Sequence, residues 1–124
     1  MAYHGRCKTG LTMTSTIRTR YDDKARFMKA LAHPTRLFIV DELSLKPRCV
    51  CELVEKIGDD YSTVSRHLSV MKNAGIVRDE KKGNMVIYSL SVPCLRGFFA
   101  CFDATQQARG AQVPELVEIP DVLL

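Results

Sequence analysis

A mostly helical domain carrying one β-hairpin, the winged helix-turn-helix arrangement, is the fold this chain predicts, and three observations predict it. Two short amphipathic stretches, Val50 to Ile57 and Tyr61 to Met71, are separated only by Gly58-Asp59-Asp60, a helix-turn-helix pattern. A basic hairpin pattern follows directly, with Ile76-Val77 and Val86 to Leu90 as strands flanking the loop Asp79 to Asn84, where Gly83-Asn84 supplies the turn. The 124 residues suit a single domain, and 46% hydrophobic with 26% charged residues is a globular balance. The longest apolar run, Phe98 to Phe102, falls far short of the roughly 20 residues that cross a membrane. No apolar stretch stands behind the N-terminal basic residues, so the expectation is a cytoplasmic protein without a membrane partner.

The elements follow in order. Residues 1–20 contain Gly5, Gly10 and a Thr/Ser-rich stretch without an apolar stripe, and read as a mobile N-terminal arm. From Asp22 the pattern turns helical, with Phe27, Ala30 and Leu31 at helical spacing before Pro34. Pro34 then opens a second helix with Leu37, Val40 and Leu43 on one face, stopping near Lys46-Pro47. Val50, Leu53, Val54 and Ile57 make the stripe of a third helix that closes at Gly58. Asp59 and Asp60 offer caps for a fourth, whose apolar face is Tyr61, Val64, Leu68 and Met71 and which ends at Asn73-Ala74-Gly75. After the hairpin, Pro93 opens a last helix with Leu95, Phe98, Phe99 and Phe102, running to about Arg109-Gly110. Its aromatic density exceeds what one packed side needs, which points to a two-fold dimer interface as well as to core capping. The domain therefore spans 21–109, followed by an acidic tail, 110–124, that contains Pro114 and Pro120.

Charge alternates along the chain. Seven Lys/Arg against two Asp/Glu give +5 over residues 1–30, four against six give −2 over 31–60, six against two give +4 over 61–100, and one against four gives −3 thereafter. The second basic segment coincides with the fourth helix and the hairpin, the footprint expected of a duplex-DNA reader, although a solvated surface produces the same arithmetic. Opposite its apolar stripe the fourth helix carries Ser62, Ser65, Arg66, Ser69 and Lys72 and no acid, which suits phosphates and base edges. Ser62, Thr63, Ser65, Arg66 and His67 are the expected major-groove contacts, with Lys81 and Lys82 on phosphate or minor groove. His67 has a competing role as a packing residue on the same helix.

Five cysteines are an odd number, too irregular for a secreted disulfide scaffold, and Cys49 and Cys51 stand one residue apart. Residues two apart on a regular helix point about 200° away from each other and could not share an ion. After Pro47, however, a helix starting near Cys49 places one thiol on the cap and the other in the opening turn, where both converge. Free N–H groups at that helix start and the neighbouring Arg48 both favour the thiolate. The alternative is a pair of small half-buried hydrophobes.

Four segments in order, LAHPTRLFIVDEL (Leu31 to Leu43), CVCELVEKIG (Cys49 to Gly58), STVSRHLSVMKNAGIV (Ser62 to Val77) and KKGNMVIYSL (Lys81 to Leu90), resemble the ArsR/SmtB family of metal-sensing winged-helix repressors. The resemblance implies a homodimer, held by its first and last helices, that occupies a palindromic operator and leaves it when a thiophilic metal or metalloid binds. The family's arsenite branch has a cysteine pair at the start of the third helix, where Cys49 and Cys51 stand, and its inducers are As(III) or Sb(III). That branch carries a third cysteine where this chain has Val54. Cadmium and lead sensors of the family complete the site from the partner's N-terminal arm, which makes Cys7 the first candidate and Cys94 and Cys101 its rivals. The zinc branch uses Asp and His on the last helix; Asp103 is present, but no His follows it. Cd, Pb or Zn at the same cysteines, and a thiol-redox or persulfide switch, remain alternatives. So does a DNA-binding module that senses nothing. A cysteine reductase is disfavoured, because neither Cys-x-x-Cys nor a βαβ pattern is present, and no enzymatic activity is expected.

Overall fold

The computed structural model describes residues 12–109. The chain runs α1 (Ser15–Leu31), α2 (Pro34–Leu45), β1 (Arg48–Cys49), α3 (Val50–Ile57), α4 (Tyr61–Asn73), β2 (Val77–Lys82), β3 (Met85–Leu90) and α5 (Leu95–Arg109). This is the expected winged helix-turn-helix, with α3 and α4 as the motif and β2–β3 as the wing.

Local chemistry explains most boundaries. His33 caps α2, its Nδ1 accepting from the Thr35 N–H at 3.1 Å, and Pro34 occupies the first turn, where its missing N–H costs nothing. Gly58 ends α3 at φ +84, and its N–H donates to the Val54 carbonyl. Asp60 caps α4. In the wing Lys82 pairs with Met85, and positive φ falls only at Gly83, as a two-residue hairpin with glycine first requires. Buried Ile39, Val40 and Leu43 of α2, Leu53 of α3, Val64, Leu68 and Met71 of α4, and Ile76 form the core beneath the motif. Each such side chain contributes about 1.5–3 kcal/mol by leaving water.

Several boundaries depart from expectation. The first helix begins at Ser15 rather than Asp22, so residues 15–20 of the expected arm are helical, started by the Thr14 hydroxyl accepting from the Ile17 N–H. Its early turns are illegible because Tyr21 is exposed and Ile17 only half-buried outside the core cluster, which leaves no core stripe. Residues 1–11, Cys7 among them, and the tail 110–124 lie outside the described residues. On α2 the buried stripe is Ile39, Val40 and Leu43, and Leu37, expected on that face, is exposed; the unbroken run from Leu37 to Val40 leaves its phase undetermined by periodicity. Tyr61 is exposed at the start of α4. Strand β2 continues through Asp79 to Lys82, which were expected in the loop.

The three-stranded sheet has the order β1-β3-β2, and β1 is an addition to the expected hairpin. Arg48 sits opposite Tyr88 and Cys49 opposite Ile87, so the segment before α3 is hydrogen-bonded to the wing. On α5 only Leu95 is buried, while Phe98 and Phe102 are exposed and Phe99 is half-buried. Together with Tyr21 and Met28 of α1, they leave apolar surface on the first and last helices. Among the described residues no helix is long and apolar enough to cross a membrane.

Candidate functional site

The outer face of α4 presents Ser62, Arg66 and Ser69 to solvent, with Thr63 and Ser65 half-buried. At its start the Asp60 carboxylate accepts hydrogen bonds from the Ser62 and Thr63 hydroxyls, which hold its carboxyl below the usual carboxylate range. These two hydroxyls are therefore engaged by an acid at the helix cap, a contact that the acid-free sequence of the helix face does not reveal. Lys72 reaches Asp79 of the wing at 3.0 Å, which joins α4 to β2. Arg66, Lys81 and Lys82 form no salt bridge among the described residues and leave their charge facing outward. Cations on a reading helix and on its wing, free of acid partners, fit a polyanionic duplex.

His67 does not belong to that face. It is 9% exposed, its Nδ1 accepts from Arg36 Nε at 3.1 Å, and its ring lies 4.4 Å from the ring of His33. The expected groove contact is corrected to the competing packing role. Its spacing carried the signal: Val64, His67, Leu68 and Met71 fall at i, i+3, i+4 and i+7.

The cysteine pair occupies the junction of β1 and α3. Cys49 is the cap of α3 in extended conformation (φ −76, ψ 159), and Cys51 lies in the opening turn. This break in helical geometry brings the two sulphurs together, and they are joined as a disulfide with the Cα atoms 5.4 Å apart. The disulfide departs from the thiolates that the helix start and Arg48 lead one to expect. Cys49 is 2% exposed and Cys51 is exposed, so the pair has one sulphur inside and one at the surface. A capping box closes the site: the Glu52 N–H donates to Cys49 Sγ at 3.4 Å, and a Glu52 carboxylate oxygen lies 3.5 Å from both the Cys49 N and its Sγ.

Arg48, expected to supply positive charge to the thiols, is committed elsewhere. Its guanidinium is buried and contacts Glu42 at 3.0 Å and Glu52 at 3.3 Å, while Nε donates to the Glu42 carbonyl. Lys56 adds a second cation to Glu42 at 3.2 Å, so the carboxylate oxygen that lacks a hydrogen bond still has two ionic partners. The network fixes α2, β1 and α3 around the pair.

Among the described residues the remaining candidate ligands do not gather there. Cys94 lies in the turn before α5 rather than on the helix, Cys101 lies on α5, and both are exposed free thiols. Helix α5 packs on α2, where burial, then Asp103, then Glu42 push the Asp41 carboxyl up. The position of Val54 is half-buried against the core. No group of three or more His, Cys, Asp or Glu able to hold a metal occurs among the described residues. The chain thus brings two soft donors to one point, and a third would have to come from outside this set.

Residues 33–79 match the family model described as bacterial regulatory protein, arsR family. The uncharacterised HTH-type regulator Rv0081 of Mycobacterium tuberculosis is 40% identical over 74 residues, 59% of this chain and 65% of that protein. Its crystal structure superposes with a TM-score of 0.66 at 33% identity, covering 74% of this chain and 93% of the other. The arsenical resistance operon repressor of Escherichia coli is 40% identical over 53% of this chain and 57% of its own length. A cadmium resistance regulatory protein, a CadC homolog of Staphylococcus aureus, is 42% identical over 55% and 57% respectively. The match thus spans between about half and two-thirds of these curated relatives.

Proposed function

Because the chain belongs to the ArsR/SmtB family of helix-turn-helix transcriptional regulators, we propose that it is a homodimeric repressor of palindromic operator DNA, released when As(III) or Sb(III) binds at Cys49 and Cys51. The observation that carries this reading is the convergence of the two sulphurs at the start of α3. Trivalent arsenic takes three thiolates in a pyramid, and the donor set present fits two of those positions. The third is assigned to Cys7, with Cys94 and Cys101 as rivals. Ser62, Thr63, Ser65 and Arg66 are the proposed major-groove contacts, and Lys81 and Lys82 contact phosphate or minor groove. Dimerisation would cover the apolar surface left on α1 and α5 and set the two reading helices on successive half-sites.

The position of the pair supports a route from ligand to DNA. Cys49 caps α3, which packs on α4, and it also pairs with Ile87 in the wing. Rebonding of its sulphur therefore acts on the reading helix and the wing together. A coupling of only about 1–3 kcal/mol suffices for a 5- to 150-fold change in affinity. The junction also favours a second reading. Cys49 and Cys51 are joined to each other, so oxidation alone could set the state of the cap, as in a thiol-redox or persulfide switch. Titrating the reduced protein on its promoter DNA with arsenite, antimonite, cadmium, lead, zinc and an oxidant in parallel separates the readings. Release by arsenite or antimonite at lower concentration than by the divalent metals supports the first. Release by oxidant alone supports the second, and indifference to all leaves a regulator that does not sense through these thiols.

A further inference from the structure

The inward placement of His67 gives it a different task. Its Nδ1 accepts from Arg36 Nε, so the ring must be neutral with its proton on Nε2. The same guanidinium donates from Nη1 to the Ala30 carbonyl at 3.3 Å, which ties the last turn of α1, the first turn of α2 and the middle of α4 through one side chain. His33, whose ring lies tilted at 44° against that of His67, is held with its own Nδ1 accepting from the Thr35 N–H. A proton added to Nδ1 of His67 would face the Arg36 N–H, replacing a hydrogen bond by the contact of two cations.

The surroundings act in the same sense. Burial, then His33, then Arg36, favour the neutral ring, Arg66 on its own helix adds to them, and Asp59 in the α3–α4 turn opposes; the His67 pKa is lowered from 6.5. Helix α1 presents Arg26 and Lys29 in the cavity of about 360 Å³ that Arg36 also lines. On the wing, Asp79 is taken by Lys72.

We propose that His67 is a proton-sensitive positioning residue: neutral, it seats the reading helix through Arg36, and protonated it gives up that seat, so operator binding weakens in acid. The inference rests on the DNA-binding reading above. The sign sets it apart from direct contact, because a histidine touching phosphate binds DNA more tightly when protonated. A group whose folded pKa is depressed stabilises the fold above its unfolded value and loses that contribution as pH falls through the folded one. The loss therefore begins below 6.5.

The test is the affinity of the reduced, metal-free full chain for its promoter duplex at constant ionic strength, from about pH 8 to about pH 5.5, the range in which histidine changes charge. Each unit by which the seated ring's pKa lies below that of the displaced ring weakens binding about tenfold once both are passed. The wild type is expected to bind progressively more weakly as the pH falls below 6.5, and the size of the loss reports how far the seated ring's pKa is depressed. His67→Asn, whose amide oxygen can accept from Arg36 but cannot titrate, is expected to stay level over the same range. A variant that falls in parallel with the wild type, or a wild type that binds more tightly in acid, overturns the proposal. Ring ¹⁵N shifts of the wild-type histidines check it without a variant: protonation of His67 at or above 6.5, or a proton on Nδ1 at neutral pH, also overturns it. Failure to bind any duplex at about pH 8, where histidine is neutral, refutes the DNA-binding reading and the operator half of this proposal. In that case thermal stability against pH still reports on the seat: it must fall below 6.5 in the wild type and not in His67→Asn.

Discussion

Replacing Arg48 by Met removes the cation at the centre of the α2–β1–α3 junction while keeping a side chain of similar length. Arg48 is 7% exposed, bonded to Glu42 at 3.0 Å and to Glu52 at 3.3 Å, and its Nε donates to the Glu42 carbonyl. Removing one partner of a buried pair costs about 3–5 kcal/mol, because the other charge is left in the interior. Two features reduce that figure here. Glu42 keeps Lys56 at 3.2 Å. The Glu52 side chain is 42% exposed, so its share falls toward the few tenths of a kcal/mol expected of a hydrated pair. The expected loss is about 2–3 kcal/mol, mainly from Glu42. At roughly 4–8 °C per kcal/mol for a domain of this size, the midpoint should drop by about 10–20 °C. Circular dichroism melts at matched protomer concentration read it, since any dimer would make the midpoint concentration-dependent. A loss below about 0.5 kcal/mol, the level of an ordinary surface substitution, would refute the claim that this network holds the junction.

Arg66→Ala should weaken operator binding across sequences or at one base position, and reduce the magnitude of the salt slope by about one if its contact is a phosphate; unchanged affinity and slope in a salt series would remove Arg66 from the interface. Gly58→Ala should destabilise by roughly 1 kcal/mol, because φ +84 strains a residue with a Cβ although nothing lies within 4 Å of the position. Urea unfolding measures this, and an unchanged midpoint would contradict the left-handed cap.

What was legible in the sequence had a strong period or a chemical punctuation mark. α3 has both, in the Val50, Leu53, Val54, Ile57 stripe and the Gly58 stop. The break at Pro47 was enough to anticipate that Cys49 would cap the helix and meet Cys51. Two residues cannot show a period, so β1 was missed, and with it the hydrogen-bonded link from Cys49 to Ile87. The first turns of α1 were missed because their apolar residues face away from the protomer's core. Arg48 and Glu42 are six apart, one in β1 and the other in α2 with the Lys46-Pro47 turn between them, and no spacing rule joins them. His67 was a matter of weighting: its polarity suggested the groove while its position in the Val64, Leu68, Met71 stripe placed it inside.

The central claim is that Cys49 and Cys51 convert ligand binding into release from DNA. Serine caps a helix at least as well as cysteine, so Cys49→Ser, Cys51→Ser should keep the start of α3 and the fold. The direct measurement is fluorescence anisotropy of labelled promoter DNA held by the reduced wild type and by the double variant as arsenite is added. The account predicts that both bind the DNA with similar affinity and that only the wild type releases it. A double variant that arsenite still releases as readily as the wild type would contradict it.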